Sequence, residues 1–196
     1  RRKTPTVILG HRALFCSDFP NVETDDLAAA KAVTQHLLDL GHQQIACLTG
    51  PTFAPWAQER YEGYRRALMD HGLEVDEKLV FQAGATIEEG AAAALQFINE
   101  KPAATAMVAA NDLVAFGAAN TLLNQGVSIP QDLSVAGFGN VLSAEYFRVP
   151  LTTVRQPKYR RGLAAMESMK NLLANESVST KRLPAELVIR KSTAAP

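Results

Sequence analysis

The sequence predicts an α/β protein: a mainly parallel, doubly wound sheet with helices on both faces. Two observations carry this. Short apolar runs at residues 45–48, 106–110 and 133–138 suit strands buried on both faces, and they alternate with longer segments whose apolar residues recur at spacings of three and four. Those longer segments end on helix stop signals, Gly41, Gly72, Lys101-Pro102 and Gly126. Four strand–helix units in succession require crossovers, which are right-handed in a parallel sheet.

Taken in order, residues 5–9 (PTVIL) read as a strand with Gly10, His11 and Arg12 at its tip. Residues 21–24 lead into a helix that starts at Asp25 and Asp26, and Leu27, Ala30, Val33, Leu37 and Leu40 form its apolar stripe. The strand at 45–48 contains Cys47, which reads as a small buried hydrophobe, whereas Cys16 lies in a loop-like stretch. The loop after Gly50 and Pro51 feeds a helix at 57–71 whose core stripe is Ala57, Tyr61, Tyr64 and Leu68, with Arg60 on a neighbouring face. A short strand at 79–82 precedes a helix at 87–99, whose alanine run 91–94 suits close packing.

The stretch from Thr105 to Asn140 organises the rest. Its first strand runs straight into Asn111 and Asp112, both good N-cap residues, and the helix beyond carries Leu113, Phe116, Asn120 and Leu123. Pro130 and Asp132 mark a loop before the strand that ends at Gly139 and Asn140. A helical turn at 141–147 and an extended piece at 151–154 follow. Pro157 then opens a helix with Leu163, Met166, Met169 and Leu173 as its expected core stripe, and residues 187–190 form a last strand. In an open parallel sheet, ligands bind beyond the carboxyl ends of the strands, so the polar tips at 111–112 and 139–140 are candidate site positions.

At 196 residues with 47% hydrophobic content, the chain can bury a sizeable core. Twenty basic residues balance twenty acidic ones, which argues against this chain itself gripping a phosphate backbone. No apolar run reaches membrane-spanning length, and the opening RRKTPTVILG lacks the apolar core and cleavage site of a signal peptide. No residues have metal-ligand spacing, and there is no G-x-S-x-G elbow, G-x-G-x-x-G turn or Walker loop. These readings set the expectation of a cytoplasmic, non-enzymatic protein without membrane contact, metal or cofactor.

Six blocks then carry a family resemblance: LLDLGHQQIACLTGP at 37–51, RYEGYRRAL at 60–68, A-x-N-D-x-x-A-x-G-A from Ala109, G-x-x-x-P-x-D-x-S-V-x-G-F from Gly126, PLTTVRQP at 150–157 and LPAELVIRKST at 183–193. In this order they resemble the effector-binding domain of LacI/GalR family transcriptional regulators across nearly the whole chain. The resemblance implies a periplasmic-binding-protein-like fold of two lobes. On that plan residues 1–24 are a remnant of the N-terminal lobe, 25–155 form the C-terminal lobe, 156–182 are a helix returning to the first lobe, and 183–196 are the final strand of the C-terminal lobe with its tail. The N-terminal lobe is then only partial, and DNA would be read by a helix-turn-helix headpiece not represented here. The implied function is sensing of a small molecule, a sugar or sugar derivative. The alternative is a solute-binding protein of a sugar uptake system, against which the G-H-Q-Q-I and PLTTVRQP blocks weigh.

The family plan places Arg60, Trp56, Asn111, Gln156, His11, Arg12 and Asn140 at the ligand. A guanidinium fork suits vicinal hydroxyls or a carboxylate, an indole suits the apolar face of a sugar, and an amide serves as donor or acceptor. Each residue also has a plainer role open to it: a solvated helix arginine, a packed rim tryptophan, a helix cap at Asn111 (Asp112 being the expected cap), a bond to crossover backbone for Gln156. Many relatives carry Asp after G-F or G-Y where this chain has Gly139 followed by Asn140, and Ala85 stands where an aromatic is common. The alanine run 91–94 and the adjacent aromatic pair Tyr146–Phe147 suggest a homodimer with Ala91, Leu95, Leu113, Tyr146 and Phe147 in its interface, the resemblance adding the need to space two headpieces; the alternative is that these residues bury against their own lobe.

Overall fold

The computed structural model describes residues 4–11, 16 and 18–196. They form two compact units, one from residues up to Asp25 with Gln156–Glu186, the other from Asp26–Arg155 with Leu187–Pro196.

The second unit is built on β3 (Ile45–Thr49), β4 (Val80–Gln82), β5 (Ala106–Ala109) and β6 (Ser134–Ala136), in the order β4-β3-β5-β6 with every pairing parallel. Two helix pairs cover it: α1 (Asp26–Asp39) with α2 (Pro55–Asp70), and α3 (Ile87–Glu100) with α4 (Asp112–Asn124). Strand alternation sorts the core between them. Ala46, Leu48, Met107 and Ala109 join the cluster under α3 and α4. Cys47 and Val108 instead meet Ala30, Val33 and Tyr64 around a cavity of about 30 Å³. Burial pushes the Cys47 thiol up to about 12, so it is inert. Beyond β6, bridges at Ala136–Thr152 and Gly139–Arg155 bring in β7 (Thr153–Arg155), which pairs with β9 (Glu186–Val188).

Glycines set how closely the helices approach. A Cβ on Gly63 would strike the Leu27 carbonyl of α1, one on Gly90 the Val114 carbonyl, and one on Gly117 the Ile87 carbonyl. The α3–α4 crossing is therefore backbone to backbone, and the alanine run serves it: Ala93 and Ala94 are buried in their own unit. Asn111, not Asp112, caps α4, its side-chain oxygen accepting from Val114 N at 2.8 Å. Thr86 and Glu89 form a capping box on α3. The tail is stitched across the unit through side chains: His42 Nε2 donates to the Ala194 carbonyl at 2.8 Å, Ser192 Oγ to the Val135 carbonyl, and His36 Nε2 meets Thr193 Oγ1 at 3.0 Å.

The first unit is a parallel sheet of β1 (Ile8–Leu9), β2 (Asn21–Thr24) and β8 (Lys181–Leu183), in the order β1-β2-β8, with α6 (Lys158–Leu173). Three expectations are corrected here. Residues 21–24 are a buried strand, not a lead-in, because Asn21 and Glu23 have partners inside: Thr180 Oγ1 donates to Asn21, and Arg182 Nε to Glu23 at 2.6 Å. That pairing places Leu183 in the first unit, so the expected boundary at 183 falls instead at Glu186–Leu187. The expected stripe of α6 is also on the wrong face. Leu163, Met166 and Leu173 are exposed, whereas Ala165 and Ser168 are buried and Arg161 donates to Thr24 Oγ1. Small residues bring this helix close, and the larger apolar ones point away. α5 (Ser143–Tyr146) is a single turn near β7.

Two outcomes are expected. Gly117→Ala should destabilise by about 1–3 kcal/mol in urea unfolding, since the new methyl meets backbone that cannot yield. Burial, opposed by Asp39 and helped by His42, holds the His36 imidazole below its usual pKa of 6.5. The unfolded chain then binds the proton more readily, so this stability is full above about pH 6.5 and is lost as pH falls below it. Melting curves between pH 7.5 and 5.5 should show that slope, flattened in His36→Gln.

Candidate functional site

The chain leaves β3 through α2 toward β4 and leaves β5 through α4 toward β6, so connections diverge between two adjacent strands. Such a switch point opens a crevice at the carboxyl ends of the strands. Arg60, on the second turn of α2, fills it. Its Nε and Nη2 donate to Asp26 Oδ2 at 3.0 and 2.7 Å, and its Nη1 donates to the Ala110 carbonyl at 2.6 Å. The guanidinium carbon lies 3.6 Å from the Phe138 ring centroid and 4.7 Å from that of Trp56. Side-chain exposure is 12% for Arg60 and 1% for Asp26, so the pair is shielded from water. Burial holds the guanidinium pKa below its usual value, an effect the Asp26 carboxylate offsets only in part; Arg60 stays cationic.

The neighbouring tips are fixed as firmly. Asn111 spends Oδ1 on the cap of α4 and donates Nδ2 to the Ala85 carbonyl at 3.0 Å. Asp112 is buried and takes a role other than the expected cap: it accepts from Val141 N at 2.8 Å and from Thr153 Oγ1 at 2.5 Å. It thereby ties α4 to the loop after β6 and to β7. A Cβ on Gly137 would strike the Asp112 carboxylate, and Gly139 has a φ of +133°, so both glycines are required by this arrangement. Asn140 follows in the left-handed region with a φ of +46°, and its Oδ1 accepts from Arg190 Nη2 at 2.7 Å. Arg190 Nη1 also donates to the Leu151 carbonyl.

Of the residues expected at the ligand, Trp56, Arg60, Asn111 and Asn140 lie in the second unit at the carboxyl ends of its strands, and all four are half-buried. His11, after β1, and Gln156, before α6, lie in the first unit; Arg12 lies outside the described residues. The sequence does not mark Asp26, Phe138 or Arg190 as parts of the site, and it marks Asp112 as a strand-tip residue without its partners. Asp26 reads as a helix-start residue and Asp112 as a cap at a candidate tip, and nothing local marks a carboxylate whose partners come from distant segments. Of the residues expected at a dimer interface, Leu95 and Leu113 are 48% and 42% exposed, Tyr146 is 76% exposed and Ala91 is half-buried. Phe147 is different: it stacks on Phe116 of its own unit at 4.7 Å.

Comparison with known proteins gives this arrangement a family. A periplasmic binding protein-like domain matches residues 34–193. A LacI-family sugar-binding transcriptional regulator from Escherichia coli, solved with phosphate, superposes with a TM-score of 0.89 at 30% identity, over 98% of this chain and 69% of that one. The chain belongs to the LacI family. A LacI-family regulator from Enterococcus faecium with bound ribose has a TM-score of 0.88 at 29% identity, covering 98% and 72% of the two chains. The HTH-type transcriptional repressor CytR of Escherichia coli strain K12 is 32% identical over 197 residues. That match takes in 100% of this chain and 58% of the repressor, so the chain spans under two thirds of that relative. These relatives are regulators rather than uptake proteins or enzymes, and among the described residues of this chain no helix is long and apolar enough to cross a membrane.

Arg60→Ala should cost about 3–5 kcal/mol of stability, because it strands the buried Asp26 carboxylate. The variant pair Asp26→Ala and Arg60→Ala, combined, should cost clearly less than the sum of the singles in urea unfolding.

Proposed function

We propose that the chain is the effector-sensing portion of a LacI-type transcriptional regulator, and that the carboxyl ends of β3, β5 and β6 form the part of the ligand site contributed by its C-terminal lobe, here the second unit. The observation that carries this is the placement of Arg60. A cation in contact with two aromatic rings at a topological switch point, with N–H groups beyond those its own fold uses, is suited to orient a polar ligand. Relatives were solved with ribose and with cellobiose, which supports a sugar or sugar derivative as the effector. The ligand acts by binding one conformation more tightly than another. DNA recognition belongs to a helix-turn-helix of the kind the relatives' names record, and the protein works in the cytoplasm, where its DNA is.

We also propose a homodimer through α3, α4 and α5. Ile87, Ala91 and Leu95 line one side of α3 at spacings of four, and Leu113, Leu142 and Tyr146 add exposed apolar surface. Phe147 is left out of this patch because its ring is used internally.

A thermal-shift screen of monosaccharides, sugar acids and sugar phosphates tests the sensing role. A ligand at one hundred times its Kd should add about 2.7 kcal/mol of stability; a panel with no stabilising member would count against it. Sedimentation at micromolar concentration should show a dimer, and Leu95→Glu should give a monomer whose melting temperature is unchanged in the dilute limit. A wild-type monomer at tens of micromolar would refute the interface.

A further inference from the structure

We infer that the second unit is built to receive hydrogen-bond acceptors, and that the effector therefore carries an oxyanion, a carboxylate or phosphate, rather than being a neutral sugar. The inference rests on the proposed ligand site and follows from how its polar atoms are already used. Asn140 is the deciding residue. The group facing its side-chain oxygen is Arg190 Nη2, which can only donate, so the oxygen end of the amide is fixed on Arg190 and the Nδ2 hydrogens are what Asn140 has to offer.

The other three residues agree with it. Asn111 spends its oxygen on Val114 N and one amide hydrogen on the Ala85 carbonyl, which leaves a second hydrogen. Arg60 uses three of the five N–H groups of a guanidinium on Asp26 and Ala110. The indole of Trp56 can only donate. The acceptors named among them are already used by the fold or buried: the carbonyls of Ala85, Ala110 and Phe138 accept from Asn111, Arg60 and Asp112 N, the Asp112 carboxylate accepts from Val141 and Thr153, and Asp26 accepts from Arg60 through Oδ2 while its Oδ1 is buried away from the surface.

A neutral sugar brings one donor with every hydroxyl, and each hydroxyl hydrogen turned toward such a surface meets N–H donors and must compete for acceptors that the fold already uses. An oxyanion accepts from several N–H groups and strands nothing, and bonds to a charged acceptor are about twice as strong as neutral ones. Asn140 is thus the specificity-determining residue. Arg190, which meets the ligand only through Asn140, is a positioning residue.

Calorimetry of the chain with glucose, gluconate and glucose 6-phosphate tests this, with inorganic phosphate as the bare ion. Wild type should bind gluconate or glucose 6-phosphate about tenfold or more tighter than glucose; which of the two binds identifies the carboxylate or the phosphate as the source. Asn140→Asp keeps a residue that tolerates the left-handed backbone but presents an acceptor, and it should reverse the preference toward glucose. Arg190→Ala should narrow the preference by freeing the amide to turn, and Arg190→Lys should restore it in part. Glucose bound as tightly as the acids by wild type would overturn the oxyanion inference while leaving the sensing role intact. If none of the compounds bound, and the wider sugar panel also failed, both readings would fall. A preference unmoved by Asn140→Asp in a folded variant would remove Asn140 from its role.

Discussion

The Asp26–Arg60 pair is the constraint on which the rest of the second unit's site depends. It joins the first turn of α1 to α2, and through the Ala110 carbonyl it joins both to the end of β5. Two charges this well hidden from water survive only when each satisfies the other, so the pair is weak evidence of net stability and strong evidence of fixed geometry. Trp56 and Phe138 add ring contacts to the guanidinium, at 4.7 and 3.6 Å from its carbon to the ring centroids. A ligand group approaching Arg60 therefore meets a cation whose orientation was set before it arrived, which reduces the ordering that binding must impose.

Asp112 does for the β6 side what Asp26 does for the β3 side. It is buried, it accepts from Val141 N and Thr153 Oγ1, and the close passage of Gly137 and Gly139 is what lets those groups reach it. The loop thus held carries Asn140 in a left-handed conformation, where Arg190 from the last segment of the chain fixes its amide. Segments far apart in sequence, at residues 26, 60, 112, 140, 153 and 190, converge on one end of one sheet. The parallel topology makes this possible, since every strand of such a sheet delivers its following loop to the same edge.

Much of this was legible in the sequence, and the exceptions have physical reasons. The buried strands and the helices of the second unit could be read because apolar period and stop signals agree there; the strand ends pointed to Asn111 and Asn140 as tip residues, and the family resemblance pointed to Arg60 on its helix. What could not be read was partnership. The Asp25-Asp26 and Asn111-Asp112 pairs look alike as helix starts, and only the fold shows that Asn111 caps while Asp26 and Asp112 face inward to an arginine and to a loop. The outward Leu163 and Met166 of α6 show the converse failure: an apolar stripe at helical spacing marks a face without saying which face is covered, and here Ala165 and Ser168 are. Phe147 shows a third limit, because an adjacent aromatic pair gives no sign that one ring stacks on Phe116 while the other is exposed.

The chain contains one tryptophan, and it touches Arg60. Its emission reports on the site alone, which makes titration of the intrinsic fluorescence the most direct test of where the effector sits. Any compound found to raise the melting temperature should change the Trp56 emission saturably, with the same Kd by fluorescence and calorimetry, and Arg60→Lys, which keeps the charge but not the fork, should weaken both together. A compound that stabilises the protein and binds saturably while leaving the Trp56 emission unmoved would place the ligand elsewhere and contradict the account.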